Sequence, residues 1–174
     1  SVTVLMPVYN GAAYLEAAIE SIRRQTHSDF EFLIVDDGST DGSSEILEGL
    51  AAQDSRLRII YGKHEGIAAA RNRGLALARG SVIVCMDQDD VAMPERIERQ
   101  LAYLAEHPEV AAVGSALRLI NKDGDPIAPP TMYPPTSEEI REGLLSGYCM
   151  LGQPTVAMRR EAAIAVGGTL GGPI

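Results

Sequence analysis

Two groups of carboxylates stand at the ends of apolar runs in this 174-residue chain. Asp36 and Asp37 follow residues 30–35 in the run VDDGSTD, and Asp87, Asp89 and Asp90 follow residues 82–86 in MDQDD. Like charges within ~4–6 Å raise at least one carboxyl pKa unless a cation joins them. A hard divalent ion with oxygen ligands resolves that repulsion and leaves coordination sites for phosphate oxygens. An Asp-x-Asp spacing leaving a strand suits the purpose, because residues 87 and 89 point to similar sides while residue 88 points away. Carboxylates also accept hydrogen bonds from ribose hydroxyls and from a base N–H. The competing account is turn and cap chemistry. It is preferred for Ser39, Thr40 and Asp41, with Asp41 as cap of the next helix. It fails for Asp87 with Asp89, since no cap needs three acids in four residues beside an apolar strand.

The elements that must position these acids alternate. Strand patterns at residues 2–8, 30–35, 57–61 and 82–86 are each followed by a helical pattern, at 12–24, 41–53, 66–78 and 94–106. Pro94 sits at a first-turn position. Strand–helix alternation predicts an α/β fold with a mostly parallel central sheet and helices on both faces. Ligands of such sheets gather at the carboxyl ends of the strands. Both acid groups then lie on one edge.

After Pro108 the pattern changes. Residues 110–120 read as a longer strand, Asn121 to Pro126 as a turn, 129–135 as a proline-rich extended loop, and 137–145 as a helix capped by Ser137. Residues 155–158 read as a strand, and 160–166 as a helix stopped by Gly167 and Gly168. Length implies one domain over 1–174, which the change of pattern divides into a βα half at 1–107 and a second half at 108–174.

A net charge of −9 argues against nucleic acid as a partner, and it demands that any polyphosphate be met by a metal, a helix start or placed arginines. No run approaches the ~20 apolar residues of a membrane span. Residue 1 leads directly into a strand pattern, with no basic-then-apolar leader. Cytoplasmic residence is the expectation, peripheral to the inner face of the membrane where the acceptor is lipid-linked. Cys85 reads as a small buried hydrophobe, and Cys149 carries no assignment. His27, His64 and His107 lack metal-ligand spacing and receive no role. Arg96 and Arg99 read as a solvated helix face, and the alanine-rich stretch 66–78 as a close-packing surface against the sheet.

Taken in order, PVYN at residues 7–10, VDDGSTD, GIAAARNRG at 66–74, and MDQDD with Pro94 downstream resemble the pattern of family 2 glycosyltransferases. The likeness is firm over about residues 1–120 and looser beyond. It implies a GT-A, Rossmann-like fold and a nucleotide-diphosphate-sugar donor, most often a UDP-sugar. It also implies Mn2+ or Mg2+, and transfer with inversion to a saccharide, lipid-linked or protein acceptor. By position, Pro7 and Tyr9 would line the base pocket and Asp37 would accept from the base ring. Asp89 would ligate the metal, and Asp87 would contact ribose or a metal-bound water. Arg71 matches a basic family position, for nucleotide binding or for holding the acids. Tyr9 as a core aromatic and Arg71 as a surface helix residue remain open beside these roles.

Inverting transfer needs a base to deprotonate the acceptor hydroxyl. In the family this is an acid shortly after a Gly-Gly stop. Gly167-Gly168 matches the stop, residues 169–174 hold no acid, and the expected pair falls beyond Ile174. These residues alone are expected to bind nucleotide and to transfer sugar poorly. Gln153, Pro154 and Thr155 are candidates to border the sugar and acceptor pocket. A nucleotidyltransferase would carry basic residues in the first loop, yet PVYNG is followed by no Arg or Lys before Arg23. A phosphoacceptor receiver would place its acid pair after the first strand rather than the second. A non-catalytic nucleotide-sugar-binding module differs only in residues past 174.

Overall fold

Residues 1–133, 136–148 and 151–168 are described by the computed structural model. Strand β1 (Val2–Val8) is buried along its whole length, as its unbroken apolar run requires of a strand covered on both faces. It pairs in parallel with β2 (Glu31–Asp36) on one side and β4 (Val82–Cys85) on the other. β2 pairs in parallel with β3 (Leu57–Tyr61). Beyond β4 the sheet turns antiparallel through β6 (Ala157–Arg159) and β5 (Ala112–Val113), giving the order β3-β2-β1-β4-β6-β5.

Side chains alternate between two cores. Val4, Met6 and Val8 face α1 (Leu15–Arg23), α2 (Ser43–Ala51) and α4 (Arg96–Glu106) through Leu15, Ile19, Ile22, Leu47, Ile97 and Leu104. Leu5, Leu33, Val35, Ile83 and Cys85 face α3 (Ile67–Leu77) and α6 (Arg160–Ala165). The expected layering is therefore present. The close-packing reading of the alanine-rich stretch also holds: a Cβ built on Gly74 would lie 2.1 Å from Leu5 Cδ1. Burial pushes the Cys85 thiol up to about 11, so it behaves as a small hydrophobe.

The second half departs from expectation. Residues 110–120 do not form one strand. Only Ala112–Val113 pairs, because the adjacent β6 offers three residues, and isolated bridges Leu117↔Thr131 and Ile120↔Pro126 follow. The turn at 121–125 is present, with Asn121 Oδ1 accepting from Asp123 N and Asp125 N at 2.9 Å each. The strand placed at 155–158 begins later, because Gln153–Thr155 closes as a 3-10 turn in which Thr155 Oγ1 donates to Gly152 O at 2.7 Å. Helix α5 (Ser137–Leu145) is capped by Thr136 rather than Ser137. Thr136 Oγ1 accepts from Glu139 N as the cap and donates to Glu139 Oε2, which orients the hydroxyl. Pro135, Cys149 and residues 169–174 lie outside the described residues.

The turn into β4 is set by backbone contact. A Cβ on Gly80 would meet Thr3 N at 2.4 Å and Val2 C at 2.5 Å, and Gly80 N donates to Thr3 Oγ1. Gly49, in exposed α2, has nothing within 4 Å. Gly80→Ala is expected to cost about 1–3 kcal/mol as overpacking, whereas Gly49→Ala should stabilise by roughly 0.5–1 kcal/mol. Urea unfolding midpoints of the two variants will show opposite shifts.

Candidate functional site

Parallel pairing of β2, β1 and β4 brings the ends of all three to one edge, with β1 in the middle. Asp37 N donates to Val8 O at 2.8 Å, and Gln88 clasps the next residue. Gln88 Oε1 accepts from Tyr9 N at 2.8 Å and its Nε2 donates to Tyr9 O at 3.1 Å. The amide thus ties the loop after β4 to the residue after β1, beyond the end of their ladder, and Gly11 leaves room beside it because a Cβ there would lie 2.6 Å from Gln88 Cδ. Both acid groups are anchored to consecutive residues at the end of one strand.

The loops after β1 and β2 are laced together. Asn10 N donates to Ser39 Oγ, Gly11 N to Ser43 Oγ and Ala12 N to Asp41 Oδ2, each at 3.0 Å, while Thr40 N donates to Asn10 Oδ1 at 2.8 Å. Asp41 also accepts from Ser43 N and Ser43 Oγ just ahead of α2, and its carboxyl is held low by the Ser43 hydroxyl and by Ala12 N–H. The turn reading of Ser39, Thr40 and Asp41 describes what they do, although the N-cap position itself is Gly42.

Asp36 and Asp37 are both buried. Asp36 accepts from Ser39 N at 2.9 Å and Ser44 Oγ at 2.5 Å, which fixes the entry to α2. Asp37 holds the β3–α3 loop: Oδ1 accepts from Glu65 N at 3.0 Å, and Oδ2 from Gly66 N at 2.8 Å. His64 Nδ1 lies 3.0 Å from the same Oδ2. The His64 ring stacks on Tyr9, centroids 3.9 Å apart and planes 16° from parallel. Gly38, at φ +80°, leaves only 3.0 Å between a built Cβ and His64 N, so a side chain there would push this loop away.

Across β1, Asp87 accepts from Arg71 Nη2 at 2.8 Å. The pair is mostly shielded from water on the arginine side, with 15% of the Arg71 side chain exposed. Asp89 is exposed on the turn. Burial and the charges of Asp87 and Asp89 push Asp90 up to about 6, against the pull of Arg96. Arg96 is not on a solvated face. Its guanidinium turns under β4, with Nη2 donating to Cys85 O at 2.7 Å and Nε buried without a hydrogen-bond partner. Burial draws its pKa down, against Asp90 and Asp87. Arg99 does lie exposed, paired with Glu95.

The residues singled out by sequence are therefore distributed as follows. Pro7 is buried within β1, and Tyr9 is half-exposed at its end. Asp37 lies on one side, and Arg71, Asp87 and Asp89 lie on the other. Arg71 is not a free surface residue. Sequence reasoning missed His64, Gln88 and Arg96. Only His64 had a signal, its place just past the end of β3.

Among the described residues, no three His, Cys, Asp or Glu side chains form a ready-made cation cage. The donor set still fits a divalent ion bound jointly with phosphate, which takes one or two carboxylates from protein and the rest from substrate and water. Asp89 is exposed on the turn, and Asp90, raised first by burial and then by the charges of Asp87 and Asp89, lies beside it. No helix among the described residues is long and apolar enough to cross a membrane.

A mostly parallel α/β sheet of this order, with acids and an aromatic ring at its carboxyl edge, defines a Rossmann-like class of fold. The profile of Glycosyl transferase family 2 matches residues 3–167, and the chain belongs to that family. An uncharacterized glycosyltransferase of Rickettsia felis is 37% identical over 163 residues, covering 89% of this chain and 25% of that protein. Staphylococcus aureus TarS in complex with UDP-GlcNAc superposes with a TM-score of 0.76 at 23% identity, over 95% of this chain and 47% of that one. The mannosyltransferase PcManGT of Pyrobaculum calidifontis, in complex with GDP-Man and Mn2+, gives 0.71 at 22% identity, over 96% and 46%. These structures establish the GT-A fold expected from sequence. The chain spans about a quarter of the Rickettsia protein and about half of each solved chain.

Asp37 and Asp89 should respond differently to loss of charge. Asp37→Asn turns an amide donor toward backbone N–H groups and is expected to cost about 1–3 kcal/mol of stability. Asp89→Asn, on an exposed turn, should stay within about 0.5 kcal/mol of the parent. Chemical denaturation of both variants without added metal checks the pair.

Proposed function

We propose that the chain forms the donor-binding part of an inverting, metal-dependent glycosyltransferase that takes its sugar from a UDP-sugar. The observation that carries this reading is the meeting of both acid groups at the end of β1, around Tyr9. The base would stack on Tyr9 and donate a ring N–H to Asp37, a carboxylate that can only accept. That chemistry favours uracil, thymine and guanine, which carry a ring N–H on their pairing edge. Pro7 would line the base pocket together with Tyr9. Asp87, oriented by Arg71, would accept from ribose or from a metal-bound water, and Asp89 would hold Mn2+ or Mg2+ at the diphosphate. When bound, such an ion supplies positive charge that stabilises the departing diphosphate.

The acceptor's proton needs a base on the opposite side of the sugar. We assign it to an acid C-terminal to Ile174, with residues 1–107 as nucleotide-binding half and 108–174 as the beginning of the acceptor side. The acceptor class is a saccharide, a lipid-linked sugar or a protein, and the reaction is placed in the cytoplasm, peripheral to the membrane when the acceptor is lipid-linked. Calorimetric titration with UDP, GDP and dTDP, each with and without Mn2+, tests the donor assignment. UDP is expected to bind tightest, and Asp89→Ala to abolish the enhancement by Mn2+. Tight, metal-independent UDP binding by that variant would overturn the role of Asp89.

A further inference from the structure

His64 presents a flat nitrogen heterocycle that stacks on Tyr9 at 3.9 Å and lies 3.0 Å, through Nδ1, from Asp37 Oδ2. Those are the two interactions assigned above to the nucleobase. We propose that His64 occupies the base position in the nucleotide-free protein and must swing out before the base of a nucleoside diphosphate can enter. The inference rests on the proposed donor site and adds a self-competing side chain to it.

The geometry leaves little alternative for a ligand that makes both contacts. Rings 3.9 Å apart admit no third ring between them. An imidazole N–H donates in the plane of its ring, so Asp37 Oδ2 lies near the His64 plane and on the His64 side of Tyr9. A base on the opposite face of Tyr9 would be about two stacking distances from that plane, out of hydrogen-bond range of Asp37. The carboxylate is also nearly full. Oδ2 already serves Gly66 N and His64, and Oδ1 serves Glu65 N.

His64 can leave without dismantling the loop that carries it. Its side chain is 54% exposed, whereas Asp37 is 3% exposed and keeps both backbone N–H bonds whatever the imidazole does. The loop backbone is thus pinned while the ring is free to rotate toward solvent. In exchange, a base needs a ring N–H to replace the one withdrawn from Asp37, and this discriminates against bases that cannot offer one.

The test is the sign of one substitution. A site closed most of the time by an internal competitor has its apparent affinity reduced by the open fraction, so His64→Ala should bind UDP about three- to tenfold more tightly in the presence of Mn2+. Inorganic pyrophosphate, which lacks a base, should bind parent and variant alike. Weaker or unchanged UDP binding by His64→Ala, with the parent still binding UDP, overturns the placeholder and leaves the donor site standing. If neither protein binds UDP, the donor reading fails and takes this inference with it. A second measurement uses the parent alone: Overhauser contacts between the Tyr9 and His64 rings should vanish at saturating UDP. Their persistence would show His64 to be a fixed stacking wall.

Discussion

Carboxylate repulsion at the carboxyl edge of β2, β1 and β4 is the constraint around which the rest of the molecule is arranged. The chain gathers Asp36, Asp37, Asp87, Asp89 and Asp90 there although its net charge is already −9. The two buried acids are answered locally, Asp36 by Ser39 N and Ser44 and Asp37 by two backbone N–H groups and His64, and the half-buried Asp87 pairs with Arg71. Arg96 sits beneath the second group and draws Asp90 toward ionisation, while burial and its neighbours push the other way. The balance is incomplete on that side alone. An exposed carboxylate on that side is what the proposed cation and diphosphate would use, since a fully paired edge would have no use for the cation.

Legibility from sequence followed how local the determining physics is. β1 and β3 match their apolar runs to the residue, and β2 and β4 within one residue. β1, β2 and β4 have a strand on either side and are buried, which leaves a hydrophobic trace, whereas β3, at the sheet edge and only partly buried, is marked by Leu57, Ile59 and Ile60. Residues 110–120 carry a similar trace, yet only Ala112 and Val113 join the central sheet, where strand length is limited by the three residues of β6. That limit is tertiary and leaves no mark in the run itself. The Ser137 assignment erred by one position, since Thr136 and Glu139 form the hydrogen-bonded pair that decides the cap.

The same distinction separates the site residues. Asp37 and Asp87 were identifiable as acids at strand ends. Their occupants were not. Gln88, between two aspartates, spends both amide atoms on Tyr9 as a side-chain tie just beyond the sheet, a role visible only once β1 and β4 lie side by side. Arg96 looked like one more polar residue on an amphipathic helix, but its stem carries the guanidinium back under β4 to the Cys85 carbonyl. His64 was set aside because it has no partner at metal-ligand spacing. Its partners are a ring and a carboxylate contributed by β1 and by the end of β2, 55 and 27 residues away.

The two halves of the edge differ in stiffness, and the difference matches what each is proposed to hold. Around Asp37 the backbone is fixed by hydrogen bonds from Glu65 and Gly66 and by the close approach of Gly38 to His64, so once the His64 ring has swung out a planar base would meet a backbone settled in advance. Such preorganisation lowers the ordering cost of binding and favours one class of ring over another. Around Asp89 the chain is an exposed turn with one clasp, Gln88, and one ion pair, Arg71 with Asp87. A divalent ion shared with a diphosphate takes ligands from substrate and water as well as protein, so a rigid cage would oppose the release of product. Stiffness on one side and compliance on the other follow from a single local fact. Asp37 answers backbone donors, which cannot move without the fold, whereas Asp87 answers a side chain, which can.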